Sequence, residues 1–195
     1  QKRTMLIDFT ATIARLLTRH GNRVGAMFYG RRIEHTIPPR GGRLQVLRLV
    51  NDLLRAPRLP QAPFTNLAEL LYGAMGAIKK RSLVLIVSDF ISQPGWEKPL
   101  ALLNQRHEVL AVRLWDPSEL ELPDIGLIVM EDAETGEQMY VDTHDRQFRQ
   151  RFRQAAVQRE AALEAAFKKA GVDVLSLSTG DDLVRAIVRF ATLRQ

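Results

Sequence analysis

Leu83-Val84-Leu85-Ile86-Val87 is the longest uninterrupted apolar run in the 195-residue chain, and it ends abruptly at Ser88-Asp89. A run with no polar alternation suits a central parallel strand covered on both faces. It is far too short to span a bilayer. In an open parallel sheet, ligands bind beyond the carboxyl ends of the strands. Asp89 therefore becomes the first candidate functional residue.

Working upstream, Leu67, Leu70, Leu71, Ala74, Met75 and Ile78 recur at helical spacing. Asn66 can cap that helix, with Glu69 three residues on completing a capping box. The stretch 56–63 holds three prolines and cannot be helix interior. Thr65 follows it, in a loop just before the helix. Leu44, Leu47, Val50 and Leu54 mark another helix, preceded by a Pro38-Pro39-Arg40-Gly41-Gly42 loop. Residues 23–29 read as a strand and 32–37 as a second, shorter one, with Gly30-Arg31 between them as a turn. Residues 4–20 read as an amphipathic helix that turns Met5, Phe9, Ile13 and Leu16 inward and stops at Gly21-Asn22.

Downstream, a short helix near Trp96 to Asn104 precedes a strand from Glu108 to Leu114. Residues 126–130 and 138–141 flank Asp132-Ala133-Glu134-Thr135-Gly136, a hairpin signal within an insertion of about 115–143. A long charged helix runs from Asp145 to Ala170, with Phe148, Phe152, Leu163 and Phe167 inward. Val172 to Leu177 is a last strand and Asp181 to Leu193 a last helix. This alternation predicts one α/β domain over residues 1–195, a layered, mostly parallel sheet with right-handed crossovers.

Composition narrows the function classes. Hydrophobic residues are 46% and charged residues 26%, which excludes a disordered or collagen-like chain. With no cysteine there is no disulfide, no thiolate nucleophile and no Cys-ligated metal; this is compatible with the cytoplasm. The net charge of +6 hides three blocks. Residues 1–60 carry 12 basic and 3 acidic side chains, residues 61–145 carry 6 and 14, and residues 146–195 carry 10 and 5. Solvated helix faces explain such blocks, and so does a basic docking surface. Phosphate-binding loops, a nucleophile elbow and zinc-protease spacing are all absent from the sequence. His20, His35, His107 and His144 sit in separate segments without ligand spacing and read as surface or element-end residues.

Thr65 and Asp89 supply oxygen donors of the kind a hard divalent cation takes. Each also has an ordinary reading, Asp89 as a strand-end residue and Thr65 as a helix-entry residue. Five further segments are informative: Gly21-Asn22-Arg23-Val24-Gly25, Phe64-Thr65-Asn66-Leu67, residues 85–90, Val112-Arg113-Leu114-Trp115-Asp116-Pro117, and Glu121-Leu122-Pro123-Asp124-Ile125-Gly126. In that order they resemble the bacterial DUF58 family, whose members carry a von Willebrand factor A-like domain. The resemblance implies a Rossmann-like three-layer αβα sandwich with a metal-ion-dependent adhesion site. Thr65 and Asp89 match its second and third parts as metal ligands, and Ser88 and Asn66 stand beside them. The first part, an Asp-x-Ser-x-Ser loop after the first central strand, has no counterpart. Asp8-Phe9-Thr10-Ala11-Thr12 has similar spacing but continues a helical period. The resemblance thus implies a chain truncated before that central strand. The strands at 23–29 and 83–87 would then lose a shared neighbour, with open edges inviting a homodimer or strand swap.

For function, the resemblance implies a non-enzymatic interaction module. It would use Mg2+ (or Mn2+ or Ca2+) in the complete protein and a MoxR-type AAA+ ATPase as partner, in chaperone-like assembly or stress response. It is expected in the cytoplasm, with a membrane anchor upstream in some family members. The alternative is a metal-dependent hydrolase or phosphoryl-transfer enzyme using Asp89 with Asp116 or Asp124. A weaker alternative is a nucleic-acid-binding domain using the early arginines.

Overall fold

The computed structural model describes residues 1–30, 32–56, 65–131 and 138–193. The expected proline loop at 57–63, Phe64, Arg31 and the hairpin tip at 132–137 lie outside the described residues.

Three parallel strands form the central layer: β3 (Leu83–Ser88), β4 (Glu108–Trp115) and β7 (Asp173–Ser178), in the order β3-β4-β7. An antiparallel pair, β1 (Val24–Tyr29) and β2 (Ile33–Arg40), stands apart from them, as does the hairpin β5 (Leu127–Glu131) and β6 (Gln138–Asp142). Helices cover both faces. On one side α1 (Lys2–Arg19) and α6 (Leu183–Leu193) bring Met5, Phe9 and Ile187 onto Leu110, Val112, Leu114, Leu175 and Leu177. On the other side α3 (Leu67–Ala77), α4 (Glu97–Arg106) and α5 (Arg146–Ala170) pack Leu67, Leu71, Leu100, Leu103, Leu163 and Phe167 onto Ile86, Val109 and Ala111. This is the alternation of an α/β sheet buried on both faces. A third cluster, Ala14, Ile37 and Leu49, seats α2 (Arg43–Arg55) against α1 and the β1–β2 pair.

Several expectations need correcting. The apolar run at 83–87 is covered on both faces, but β3 is not central. Its only hydrogen-bonded neighbour among the described residues is β4, the middle and most deeply buried strand. A continuous apolar run reports burial of the two faces and is blind to the edges. The strand after residue 32 is longer than expected and runs through Pro38 and Pro39. Both prolines fit because β2 has a single partner and because the β1–β2 register is broken opposite them, between the Val24–Arg40 and Ala26–Ile37 pairs, so no regular ladder bond is required there. Gly25 permits this approach: a Cβ there would lie 2.7 Å from the Ile37 carbonyl oxygen. Leu16 is 47% exposed, and Ala14 takes the buried position instead. His107, which ends α4, is buried, and neither ring nitrogen has a hydrogen-bond partner among the described residues.

The carboxyl ends of β1 and β3 are linked through the first turn of α3. The Tyr29 hydroxyl, at the carboxyl end of β1, donates to Glu69 in the first turn of α3 at 3.2 Å. That same turn is bonded to the loop that leaves β3. Between β1 and β3 no ladder forms among the described residues, so each presents one unpaired edge.

Candidate functional site

The carboxyl end of β3 carries the loop 89–96, and its local shape follows from short side chains bonding to the backbone. Ser88 Oγ accepts from the Phe90 N–H at 3.0 Å, and Asp89 Oδ1 accepts from the Ile91 N–H at 3.1 Å. Between them Phe90 takes a left-handed φ of 58°, which β-carbon sterics normally disfavour. Its ring holds it there, buried against Phe167 at 4.8 Å and Trp96 at 5.7 Å between centroids.

Ser92 ties this loop to Thr65. Its hydroxyl donates to the Thr65 carbonyl at 2.8 Å and accepts from the Leu67 N–H at 3.0 Å, while the Gln93 N–H donates to Thr65 at 3.1 Å. The segments bearing Thr65 and Asp89 are thus joined on one rim of the sheet. Among the described residues no hydrogen bond links the two side chains. Asn66 caps α3 by accepting from the Glu69 N–H at 3.2 Å. The reciprocal half of the expected capping box is missing, because the Glu69 carboxylate is taken by Tyr29.

A group that sequence reasoning missed sits on this rim. Lys2, in the first turn of α1, places its ammonium 3.1 Å from Asp89 Oδ2 and also pairs with Glu119. Burial works to lower the Lys2 pKa, but Asp89 and Glu119 outweigh it and raise it above the ordinary value. The contribution of the Lys2 ammonium to stability is therefore fully present below 10.5 and is lost as pH rises through its raised pKa. No local pattern marks Lys2; the spacing from residue 2 to residue 89 is purely tertiary.

Asp116 lies on the same side and is committed elsewhere. Its Oδ1 accepts from the Ser118 hydroxyl at 2.6 Å, and its Oδ2 accepts from the Thr179 hydroxyl at 2.6 Å. The Ser118 and Thr179 bonds hold its carboxyl down at about 2. Because that value is depressed, its contribution to stability is present above about 3.8 and is lost as pH falls towards 2. Thr179→Val is expected to return the Asp116 pKa towards the ordinary carboxylate range. Carbonyl chemical shifts followed through an acid titration check this, and an unchanged midpoint would refute the assignment. Asp124 is engaged with other partners, pairing with His144 and, at 3.1 Å, with Arg149 of α5. Lys2 acts on both Asp89 and Asp116, but the three aspartates of the hydrolase alternative share no hydrogen-bond partner among the described residues. Among the described residues no group of three or more His, Cys, Asp or Glu side chains is arranged to hold a metal ion.

The donor chemistry tests the expected cation. Asp89 has one oxygen on Ile91 and the other on Lys2, and Ser88 is engaged by Phe90. Thr65 and Asp89 offer three side-chain oxygens, two of them already engaged, where Mg2+ demands six and Ca2+ six to eight. The residues present do not by themselves fit a divalent cation.

Comparison with known proteins fits this architecture. Residues 1–162 match the family described as "Protein of unknown function DUF58". An uncharacterized protein of Mycobacterium avium is 35% identical over 159 residues, covering 82% of this chain and 94% of its own. An uncharacterized protein of Mycobacterium tuberculosis is 31% identical over 195 residues, so the chain spans 61% of that relative's length. An aerotolerance-related membrane protein from Bacteroides fragilis has a similar fold, with a TM-score of 0.55 at 10% identity, covering 95% of this chain and 86% of its own. No helix among the described residues is long and apolar enough to cross a membrane.

Proposed function

The chain belongs to the DUF58 family, and we propose that it is a non-enzymatic protein-interaction module of von Willebrand factor A type whose docking edge is the Thr65–Asp89 rim. The observation that carries this reading is the position of Asp89. Its carboxylate stands at the carboxyl end of β3, with the side chain 36% exposed, on a loop that three hydrogen bonds fasten to the Thr65 segment. A rigid rim bearing an accessible charge suits recognition of a partner side chain. The scattered commitments of Asp116 and Asp124 favour binding over hydrolysis. The partner we assign is a MoxR-type AAA+ ATPase, with chaperone-like assembly or stress response as the process. Mg2+, Mn2+ or Ca2+ belongs to this reading only where further oxygen ligands join Thr65 and Asp89.

Asp89→Ala tests it. The variant should fold, losing about 1 kcal/mol at most because the Lys2 pair is partly exposed. Full-length protein carrying it should capture the ATPase at least tenfold more weakly than wild type, a loss on the order of 1.4 kcal/mol. Capture equal to wild type, with Mg2+ and with chelator alike, removes the rim from the interaction.

The unpaired edges of β1 and β3 favour a second reading, in which the same module accepts an extended strand from another copy and forms a homodimer or strand swap. Light scattering decides it: a strictly monomeric protein at all concentrations rules out self-pairing.

A further inference from the structure

The strongest unassigned surface lies at the opposite end of α1 from the rim. Between residues 9 and 51 the sequence holds eight arginines and one carboxylate, Glu34. The fold gathers part of this charge. Arg3, at the start of α1, donates to the carbonyls of Leu53, Leu54 and Ala56 at the end of α2, at 3.0, 2.9 and 2.7 Å. The two helices are therefore antiparallel, and the end of α1 meets the start of α2. There Gln45, buried in the first turn of α2, donates to the Val24 carbonyl at 2.7 Å and the Pro38 carbonyl at 3.0 Å. Arg19, Arg23, Arg40 and Arg43 are all exposed at this end. Among the described residues none of the four is held in an ion pair. Leu44 and Leu47 stand among them, 82% and 52% exposed.

We propose that this end of the α1–α2 pair docks on an anionic phospholipid bilayer surface. The arginines supply planar forks that match phosphate oxygens, and no neighbouring carboxylate competes for them. Leu44 protrudes from a helix rather than lining a groove. A fluid acyl layer takes up such a side chain without a matching pocket, as it does for interfacial amphipathic helices. Single-stranded nucleic-acid sites use aromatic side chains for stacking, and the apolar members here are leucines; a duplex offers phosphates but no apolar layer for Leu44. The 18 residues of α1 set this end about 25 Å from Lys2 and the rim, at 1.5 Å per residue. Docked this way, the protein keeps Asp89 free for a protein partner, so the two assignments stand or fall separately.

Vesicle flotation tests the proposal. The whole chain should float with vesicles of phosphatidylcholine mixed with phosphatidylglycerol, should stay behind with phosphatidylcholine alone, and should be released by salt. Arg40→Gln with Arg43→Gln should lower the partition coefficient roughly thirtyfold, about fivefold for each charge. Leu44→Gln with Leu47→Gln should lower it by at least about tenfold while every charge stays in place. These four positions are exposed, so the variants should keep the wild-type circular dichroism and melting curve. No flotation, equal flotation with neutral vesicles, or a leucine variant that binds like wild type would each overturn the proposal. So would preferential capture by a DNA duplex or by polyglutamate, which would reassign the patch to nucleic acid or to an acidic protein.

Discussion

Phe167→Ala is expected to lower the free energy of unfolding by about 4 kcal/mol, as for other fully buried aromatic truncations. The ring is 4% exposed and lies edge-on to Phe90, tilted against Trp96 at 5.5 Å. Its removal opens a cavity between α5, α4 and the loop leaving β3, three elements that cannot close up together. The same cavity frees the Phe90 ring, which holds its own backbone at a positive φ. A second substitution separates these effects. Phe90→Ala loses the ring and keeps the steric cost of a left-handed residue. Phe90→Gly loses the ring and sheds that cost, which is roughly 1 kcal/mol. Phe90→Gly should therefore be the more stable of the two by about 1 kcal/mol, reversing the usual order of alanine and glycine. Urea unfolding followed by tryptophan fluorescence measures all three. A Phe167→Ala loss under about 1.5 kcal/mol, well below the range for such truncations, would show that the aromatic trio does not hold this loop. An alanine variant more stable than the glycine variant at residue 90 would show the same.

The features that the sequence announces are the ones made by neighbours in the chain. Asp145 and Gly171 bound α5 as a side-chain cap and a left-handed terminus, and both are visible in the letters because capping is local. Asn66 before Leu67 is legible for the same reason. Asp89 is legible because strand ends and polar residues coincide there. Lys2, Ser92 and Glu119 are not, since each acts on a partner far away in sequence and leaves no periodic trace. The pairing of β3 is hidden in the same way. Its residues say that both faces are buried, and only the assembled sheet says which edge stays open. His107 is hidden for the opposite reason: it ends α4 as its sequence position suggests, yet packing closes over it.

Packing closes over Arg113 as well, and Glu160→Ala is the second large effect to expect, about 3 kcal/mol of stability lost. Arg113 lies near the carboxyl end of β4, on the face shared with Val109 and Ala111, and its side chain is 11% exposed. Both terminal nitrogens of the guanidinium donate to the two oxygens of Glu160 on α5. The third nitrogen, Nε, is buried without a hydrogen-bond partner among the described residues. Arginine cannot shed its proton, so removing the carboxylate leaves a full charge stranded beneath α5. The neighbouring Arg159 donates to the Glu119 carbonyl at 3.0 Å, so a displaced α5 also loosens the segment that holds Lys2 on the rim. The pair itself is not expected to be a net source of stability, because two charges lose their hydration on burial. Arg113→Met combined with Glu160→Leu should therefore return to within about 1 kcal/mol of wild type. Chemical denaturation of Arg113→Met, Glu160→Leu and the double variant gives the coupling energy. If the double variant is as unstable as Glu160→Ala, packing at this position rather than the stranded charge accounts for the loss, and the ion pair has no special part in fastening α5 to β4.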